Sequence, residues 1–412
     1  MTGPTHEKFK RGSAPTPVTP AKALHPMTTP VKTKKIFVLA GESSGDLLGG
    51  KLLQAIRELN PQIEFIGIGG PHMQAAGLKS LFPMEELSIM GIFEVLRHLP
   101  QILKRIQYVA DFIQDNQPDV IVTIDLPDFS FRLAKKVRPF GIPHIHYTAP
   151  SVWAWRPGRA KKISKLVDHL LCLLPFEPPY FTVHGLKATF VGHMVTELAI
   201  PSIPTDAFYK RHNLYSHQTL ICMLPGSRHG EAKRMLPVFI ETLKKIALLH
   251  PDAVIAVPTV KATDALVKQS LQNTGLNIIY ITDQQERYEA MRACHAALAA
   301  SGTVSLELSM AQTPTVIAYK VNAITAWIAR KIVYARYMTL TNILLDREAI
   351  PEFFQEKCTA ENLFKALNNL LIQKETVQRM NANQKEAMKM LAPGDKSPSA
   401  IAAETVLSYI NP

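Results

Sequence analysis

The chain predicts an α/β protein built as two Rossmann-like, doubly wound domains that face each other across a cleft. Three observations carry that prediction. Continuous apolar runs of strand length alternate with helix-period patterns through most of the sequence, as a parallel sheet covered on both faces requires. The alternation breaks at a proline-containing stretch around Pro201 and Pro204 and then starts afresh. The 412 residues also exceed the roughly 250–300 at which a single core stops growing. One continuous large sheet is the competing architecture.

Residues 1–33 are rich in Pro, Thr and Lys, with Glu7 their single acidic residue. They are expected to form a disordered basic tail, because they cannot bury enough apolar surface to offset the entropy of ordering. No apolar core of a secretory signal is present in them. The first domain, 34–202, is read from the strands KKIFVLA (34–40), IEFIGIGG (63–70), DVIVTID (119–125), IPHIHYT (142–148), HLLCLLP (169–175) and ATFVGH (188–193). The second, 203–390, is read from TLICMLPGS (219–227), AVIAVPT (253–259), NIIYITD (277–283), HAALAAS (295–301) and PTVIAYK (314–320). Within 391–412, Ser397 followed by Pro398 opens a last helix, IAAETVLSYI, which such a layout allows to cross back to the first domain.

The formal charge of +12 and pI near 9.4 suit an acidic partner: nucleotide phosphates, an anionic membrane face or nucleic acid. Nucleic acid is the weakest of these, since no helix–turn–helix, zinc-finger or stacking-platform signature occurs. No uninterrupted run of roughly 20 apolar residues predicts a spanning helix. Cys172, Cys222, Cys294 and Cys358 are widely spaced and mostly in apolar segments, which suits reduced core thiols and a cytosolic setting.

Several segments carry candidate chemistry. KIFVLAGESSGD (35–46) reads as a strand, a small-residue turn and a helix with Leu48, Leu52, Ile56 and Leu59 on one face. Such a turn aims backbone N–H groups at a ligand above the strand end, or is an ordinary βα turn; Glu42 argues against a phosphate held directly on it. Asp125 ends a buried strand and points into the predicted cleft, where low polarity suits a general base. Pro127 fixes the chain there, and Asp128 is the better candidate for a helix-capping role. In LPGSR (224–228), Gly226 permits close backbone approach, Ser227 can donate, and Arg228 offers a planar fork matched to diphosphate oxygens. Glu231 either holds that Arg or starts the next helix. In ALAASGTVSLE (297–307), Ser301, Gly302 and Thr303 form an anion pocket at a helix start, and Glu307 can accept two hydrogen bonds from a ribose diol; a capped helix with a solvated Glu is the plainer reading. His144, His146 and His193 lack a completing ligand set, so no metal is expected. The stretches 90–106 and 326–337 interleave apolar with basic residues, suiting either an anionic membrane surface and acyl chains or amphipathic core helices.

Taken together, AGESSGD (40–46), GIGGPHMQAAG (67–77), EELSIMGIFEVL (85–96), IDLPDF (124–129), HYTAPSVWAWRPGR (146–159), LPFE (174–177), VGH (191–193), LPGSR (224–228) and ASGTVSLE (300–307) resemble the lipid-A-disaccharide synthase family. These are inverting glycosyltransferases of the GT-B type. The resemblance implies transfer from UDP-2,3-diacylglucosamine to 2,3-diacylglucosamine 1-phosphate (lipid X), giving the β-1,6 disaccharide 1-phosphate and UDP. It also implies a peripheral position on the cytoplasmic face of the inner membrane of a Gram-negative bacterium. The family's general base falls on Asp125, with Glu42 and Ser44 in the catalytic cleft. The nucleotide-contacting positions fall on Gly226, Ser227, Arg228, Ser301, Gly302, Thr303 and Glu307. Asn342 matches a family Asn within LTNILL, although Thr341 stands where the family has Pro. Met90, Ile92, Phe93 and Leu96 become membrane- or acyl-contacting candidates. No cofactor or metal is implied, since the UDP-sugar is a substrate; an oligomer remains open. A UDP-sugar epimerase or a different lipid glycosyltransferase of GT-B type is the nearest rival, and an inactive membrane-bound scaffold is a rival of another class.

Overall fold

The computed structural model describes residues 1–3, 33–87, 92–322, 325–327 and 334–410, with side chains from residue 100 onward in the long helix Ile92–Asn116. Residues 34–412 form one compact unit. The tail expected to be disordered lies almost wholly outside the described residues.

Two parallel sheets organise residues 34–412. The first contains β1 (Lys35–Ala40), β2 (Glu64–Ile68), β3 (Lys79–Ser80), β4 (Val120–Ile124), β5 (His144–Tyr147), β6 (His169–Cys172) and β7 (Lys187–Phe190), ordered 3-2-1-4-5-6-7. The second contains β8 (Leu220–Leu224), β9 (Val254–Pro258), β10 (Asn277–Ile281), β11 (Ala296–Ala300), β12 (Thr315–Tyr319) and β13 (Glu352–Phe354), ordered 10-9-8-11-12-13. Every strand read from the sequence is present. The two unread ones, β3 and β13, are short edge strands of two and three residues, too brief to show a period.

The apolar runs are continuous because helices cover both faces of each sheet. Ile36, Val38 and Ala40 pack towards one layer of side chains, Phe37 and Leu39 towards the other. The helix Ser43–Leu59 buries Leu48, Leu52, Leu53 and Ile56; Leu59 departs from the expected stripe and lies exposed at its last turn.

In each sheet the strand order reverses once, between β1 and β4 and between β8 and β11. Those are the switch points beside which ligands bind in open α/β sheets. Ala40 lies opposite Ile124, so the turns at Gly41 and Asp125 leave the sheet side by side. Leu224 lies opposite Ala299, which brings 225–228 next to 301–303.

The two sheets are joined by a shared core in which Leu174 and Val195 meet Leu306, Leu344, Ala387, Met388 and Leu391. The helix Lys374–Leu391 ends against the first half, where His193 N–H donates to Leu391 O at 3.0 Å. The last helix, Pro398–Leu407, packs on Ser43–Leu59 through Ala402, Ala403 and Val406. Its N-terminus is tied down by Ser399 N–H donating to Glu197 at 2.6 Å. No described helix is long and apolar enough to cross a membrane.

Candidate active site

The first wall of the site is the pair of turns following β1 and β4. Asp125 and Leu126 both have left-handed backbone, with φ of 54° and 51°. Two such non-glycine residues in succession are strained, and local bonds hold them there. Asp125 N–H donates to Tyr147 O at 2.9 Å, the Ser130 hydroxyl donates to Asp125 O at 2.9 Å, and Pro127 begins the helix Pro127–Val137. The Asp125 carboxylate is half-buried in the cleft and accepts no hydrogen bond among the described residues. Asp128 sits exposed in that helix's first turn and pairs with Arg159 at 3.2 Å. The adjoining turn needs glycine: a Cβ on Gly41 would stand 2.5 Å from Leu126 Cδ2. The sequence signal at 41 thus reflects close approach of two turns.

Glu42, half-buried beside Asp125, has its pKa raised, first by burial and second by the Asp125 charge; Arg228 acts in the opposite direction. Ser44 also lines the cleft. Asp46, which ends the AGESSGD motif, has a structural task. It is buried and accepts from the N–H groups of Gly70 (2.8 Å), His72 (2.9 Å) and Met73 (3.0 Å), thereby welding that motif to GIGGPHMQ.

The second wall begins at Gly226, whose φ of 116° and a would-be Cβ contact of 2.4 Å to Glu231 exclude a side chain. Glu231 folds back to accept from the backbone N–H groups of Ser227 and Arg228, and burial raises its pKa. It therefore starts the helix His229–Leu249 rather than holding the Arg228 side chain, a capping arrangement. Ser227 lines the cleft; Arg228, the next residue, is exposed at the start of the helix His229–Leu249 and is not itself among the lining residues. Across from them Thr303 and Glu307 line the cleft at the helix Val304–Ala311, while Ser301 and Gly302 lie in the preceding turn. Burial raises the Glu307 pKa against the opposing charge of Arg287, to which it is hydrogen-bonded.

Asn342 is the exception to the expected nucleotide set. It is fully buried away from the cleft lining. Its Oδ1 accepts from Ala349 N and Ile350 N, both at 2.8 Å, and its Nδ2 donates to Ile350 O at 2.8 Å. An amide so engaged pins the 342–350 loop and has no acceptor left for a ligand. Met90 lies outside the described residues, as do the side chains of Ile92, Phe93 and Leu96 and parts of the 326–337 stretch. His144 and His146 are buried and converge on the Thr123 hydroxyl, each at 2.9 Å, while His193 accepts from Val195 N–H. Burial lowers their pKa values to about 4, about 3 and about 4.

Sequence reasoning missed two contributors. Arg287, on the helix Gln284–Ala293, is one; its segment lacks any motif beside a glycine. Glu177 is the other. It is buried behind the cleft, accepts from Leu173 N and Leu174 N at 3.1 Å each and from Trp153 Nε1 at 3.2 Å, and has its pKa pushed up to about 7 by burial. LPFE and SVWAW in fact meet here, with Trp153 and Phe176 edge to face at 5.3 Å. The cleft encloses about 1290 Å³ between these walls, and its first-half side is largely apolar, formed by Val152, Trp153, Leu174, Met194 and Val195.

Two parallel-sheet halves with both switch points opening on one cleft define a GT-B type fold, the class shared by glycosyltransferases and UDP-sugar epimerases. Solved structures agree. The S. aureus MnaA–UDP co-structure matches with TM-score 0.60 at 14% identity, over 92% of this chain and 96% of that one. Acinetobacter baumannii MurG matches with TM-score 0.54 at 12% identity, over 91% and 99%. Sequence relationships are more specific. A lipid-A-disaccharide synthetase family model matches residues 36–406. The lipid-A-disaccharide synthase of Rhodospirillum centenum is 44% identical over 383 residues, covering 92% of this chain and 96% of that protein. That of Ruegeria pomeroyi is 42% identical over 390 residues, covering 91% and 95%. The chain belongs to the lipid-A-disaccharide synthetase family, and is accordingly a glycosyltransferase.

Proposed function

We propose that the protein condenses UDP-2,3-diacylglucosamine with 2,3-diacylglucosamine 1-phosphate, forming the β-1,6-linked lipid A disaccharide 1-phosphate and UDP. The observation that carries this is the placing of Asp125 and Ser44 on one wall of a cleft and of Ser227, Thr303 and Glu307 on the other, in a chain that matches the family over residues 36–406. Asp125 acts as general base on the acceptor 6-hydroxyl, from the face opposite the leaving nucleotide. Its carboxylate accepts no hydrogen bond among the described residues and its backbone position is fixed, so its reach into the cleft is pre-set. Glu42 and Ser44 position the acceptor sugar beside it. Arg228, Ser227, Gly226 and the 301–303 turn take the diphosphate and stabilise the departing UDP, and Glu307 takes the ribose. Charge from Arg228 and helix N-termini lets the reaction proceed without a metal or other cofactor. The apolar side of the cleft accommodates part of the acyl chains, with the Met90–Leu96 stretch contacting the membrane; the net charge of +12 favours an anionic inner-membrane surface. The domains run from 34 to 202 and from 203 to 390, with 391–412 returning to the first, and the protein works peripherally at the cytoplasmic face.

A UDP-sugar epimerase shares this fold but not this family relationship and is not favoured. Mass spectrometry of a reaction containing both diacylated sugars separates the two. The expected result is the disaccharide 1-phosphate and an equal amount of UDP. Conversion of the donor when it is incubated alone, with no disaccharide in the mixture, would overturn the proposal.

A further inference from the structure

We propose that Arg287 is a positioning residue that keeps the Glu307 carboxylate charged and correctly aimed for the ribose diol of the nucleotide. The inference rests on the ribose role given to Glu307 above and goes beyond it by naming what makes that role workable. Glu307 lies one turn into the helix Val304–Ala311, only 18% exposed, where a lone carboxylate loses much of its hydration. Arg287 comes from a different element, the helix Gln284–Ala293, whose N-terminus is fixed by the Asp283 side chain accepting from Glu286 N–H at 2.8 Å. Its guanidinium donates to Glu307 Oε2. No described residue donates to Oε1, so one carboxylate oxygen is anchored and the other stays open to a ligand. Both residues line the cleft.

The Arg side chain is itself held. It lies 5.8 Å from the centroid of the Tyr288 ring, and only 26% of its surface is exposed. Its Nε is buried without a partner among the described residues, a standing cost that a structural ion pair alone does not explain. The elements packed against the helix Val304–Ala311 carry further charges: Glu197 pairs with Lys51 at 2.9 Å, Glu386 with Arg347, Glu289 with Arg211 at 2.7 Å and Glu286 with His212 at 2.7 Å, and Arg292 donates to Ala311 O at 3.0 Å. Lys374, Glu375, Arg379, Lys385 and Lys389 lie along the helix Lys374–Leu391, and Tyr288 is a further titratable neighbour, its own pKa raised by burial and then by Glu307. The cation hydrogen-bonded to Glu307 is Arg287. Arg287 is therefore the cation that sets the Glu307 charge. Without it, burial is unopposed and the carboxyl takes up a proton at higher pH, losing much of its capacity to accept from two ribose hydroxyls.

Calorimetric titration of the full-length protein with UDP and with 2′-deoxy-UDP tests this between pH 6 and pH 8.5. One hydrogen bond to a charged acceptor corresponds to a preference for UDP of about tenfold or more. The parent should show that preference throughout, and Glu307→Ala should lack it at every pH. Arg287→Met should keep it at pH 8.5 and lose it as pH falls to 6, while Arg287→Lys should restore the parent profile. Failure of the underlying ribose assignment reads differently: the parent shows no preference, or Glu307→Ala retains it. An Arg287→Met protein whose preference is unchanged across the range overturns the present proposal with that assignment intact. Loss at all pH values, with Arg287→Lys equally impaired, overturns it too. Thermal midpoints of each variant establish that the folded protein is being titrated.

Discussion

Asp125 joins two demands that usually conflict, and a substitution series can separate them. Its φ of 54° is a conformation that costs most non-glycine residues roughly 1–2 kcal/mol. Asn tolerates that region at least as well as Asp and has the same shape, so Asp125→Asn should leave stability within about 0.5 kcal/mol of the parent. It removes the base altogether. Loss of a positioned general base lowers turnover by about 10²–10⁴-fold, or roughly 3–5 kcal/mol in the barrier. UDP affinity should hardly change, because the residues proposed to take the diphosphate belong to the other wall. Asp125→Gly relieves the strain at an entropic cost of roughly 0.5–1 kcal/mol, whereas Asp125→Ala keeps the strain; Gly should therefore be the more stable of the two by about 0.5–1 kcal/mol. Both should be as inactive as the Asn variant. Urea midpoints, UDP titration and a radiolabelled-donor turnover assay read the three quantities separately. Turnover of Asp125→Asn near the parent's would remove the base assignment, and a Gly variant less stable than Ala would remove the strain argument while leaving the base untouched.

Arg228→Ala should weaken UDP binding by about 10–100-fold, the worth of a charged hydrogen-bonded contact, with titration calorimetry as the check; unchanged affinity refutes its diphosphate role. Asn342→Ala should behave oppositely, lowering stability by about 2–4 kcal/mol through three lost buried bonds while UDP affinity of the folded protein stays the same. Acid should destabilise the fold, because His144, His146 and His193 have native pKa values of about 4, about 3 and about 4, below the value near 6.5 of an unfolded chain. The stability they permit is complete above pH 6.5 and is lost as pH falls towards 4, by about 1 kcal/mol for each histidine between pH 6.5 and 5.5; a flat urea midpoint over that interval contradicts their burial as neutral groups. Dialysis against EDTA should leave turnover unchanged, and a loss that added Mg²⁺ restores would refute the metal-free scheme. Phe93→Ser combined with Leu96→Ser should reduce sedimentation with anionic vesicles, and equal sedimentation would assign that stretch to another surface.

The legible part of this chain is what a two-residue or 3.6-residue period and a turn can encode. Buried strands appear as runs such as VIVTI because helices cover both faces, and glycines appear where two turns approach, as at Gly41, or where the backbone is left-handed against a folded-back side chain, as at Gly226. Register could not be read, since it depends on which runs become neighbours. Yet register decides the site: pairing Ala40 with Ile124, and Leu224 with Ala299, brings each motif beside its partner. Arg287 and Glu177 were invisible for the same reason. Each acts through a residue distant in sequence, 20 positions for Arg287 to Glu307 and 24 for Trp153 to Glu177; Arg287 lies within a helix, and Glu177, although it ends the LPFE segment, carries no sign in the sequence that Trp153 is its partner.

Asn342 shows the converse limit. An Asn at a motif position invites a ligand role, but its local partners were only seven and eight residues away and occupy both acceptor sites of its oxygen and one N–H of its amide. Asp46 makes the same point from within AGESSGD: its neighbour Ser44 lines the cleft, while Asp46 turns inward to hold three backbone donors of another segment. A motif therefore mixes residues that touch the ligand with residues that fix the wall. The discriminating quantity is unspent hydrogen-bonding capacity. Among the described residues Asp125 accepts no side-chain hydrogen bond and one Glu307 oxygen has no donor, whereas Asp46 already accepts three and the Asn342 oxygen two, and that difference separates groups able to act on a substrate from groups that hold the fold in which the action occurs.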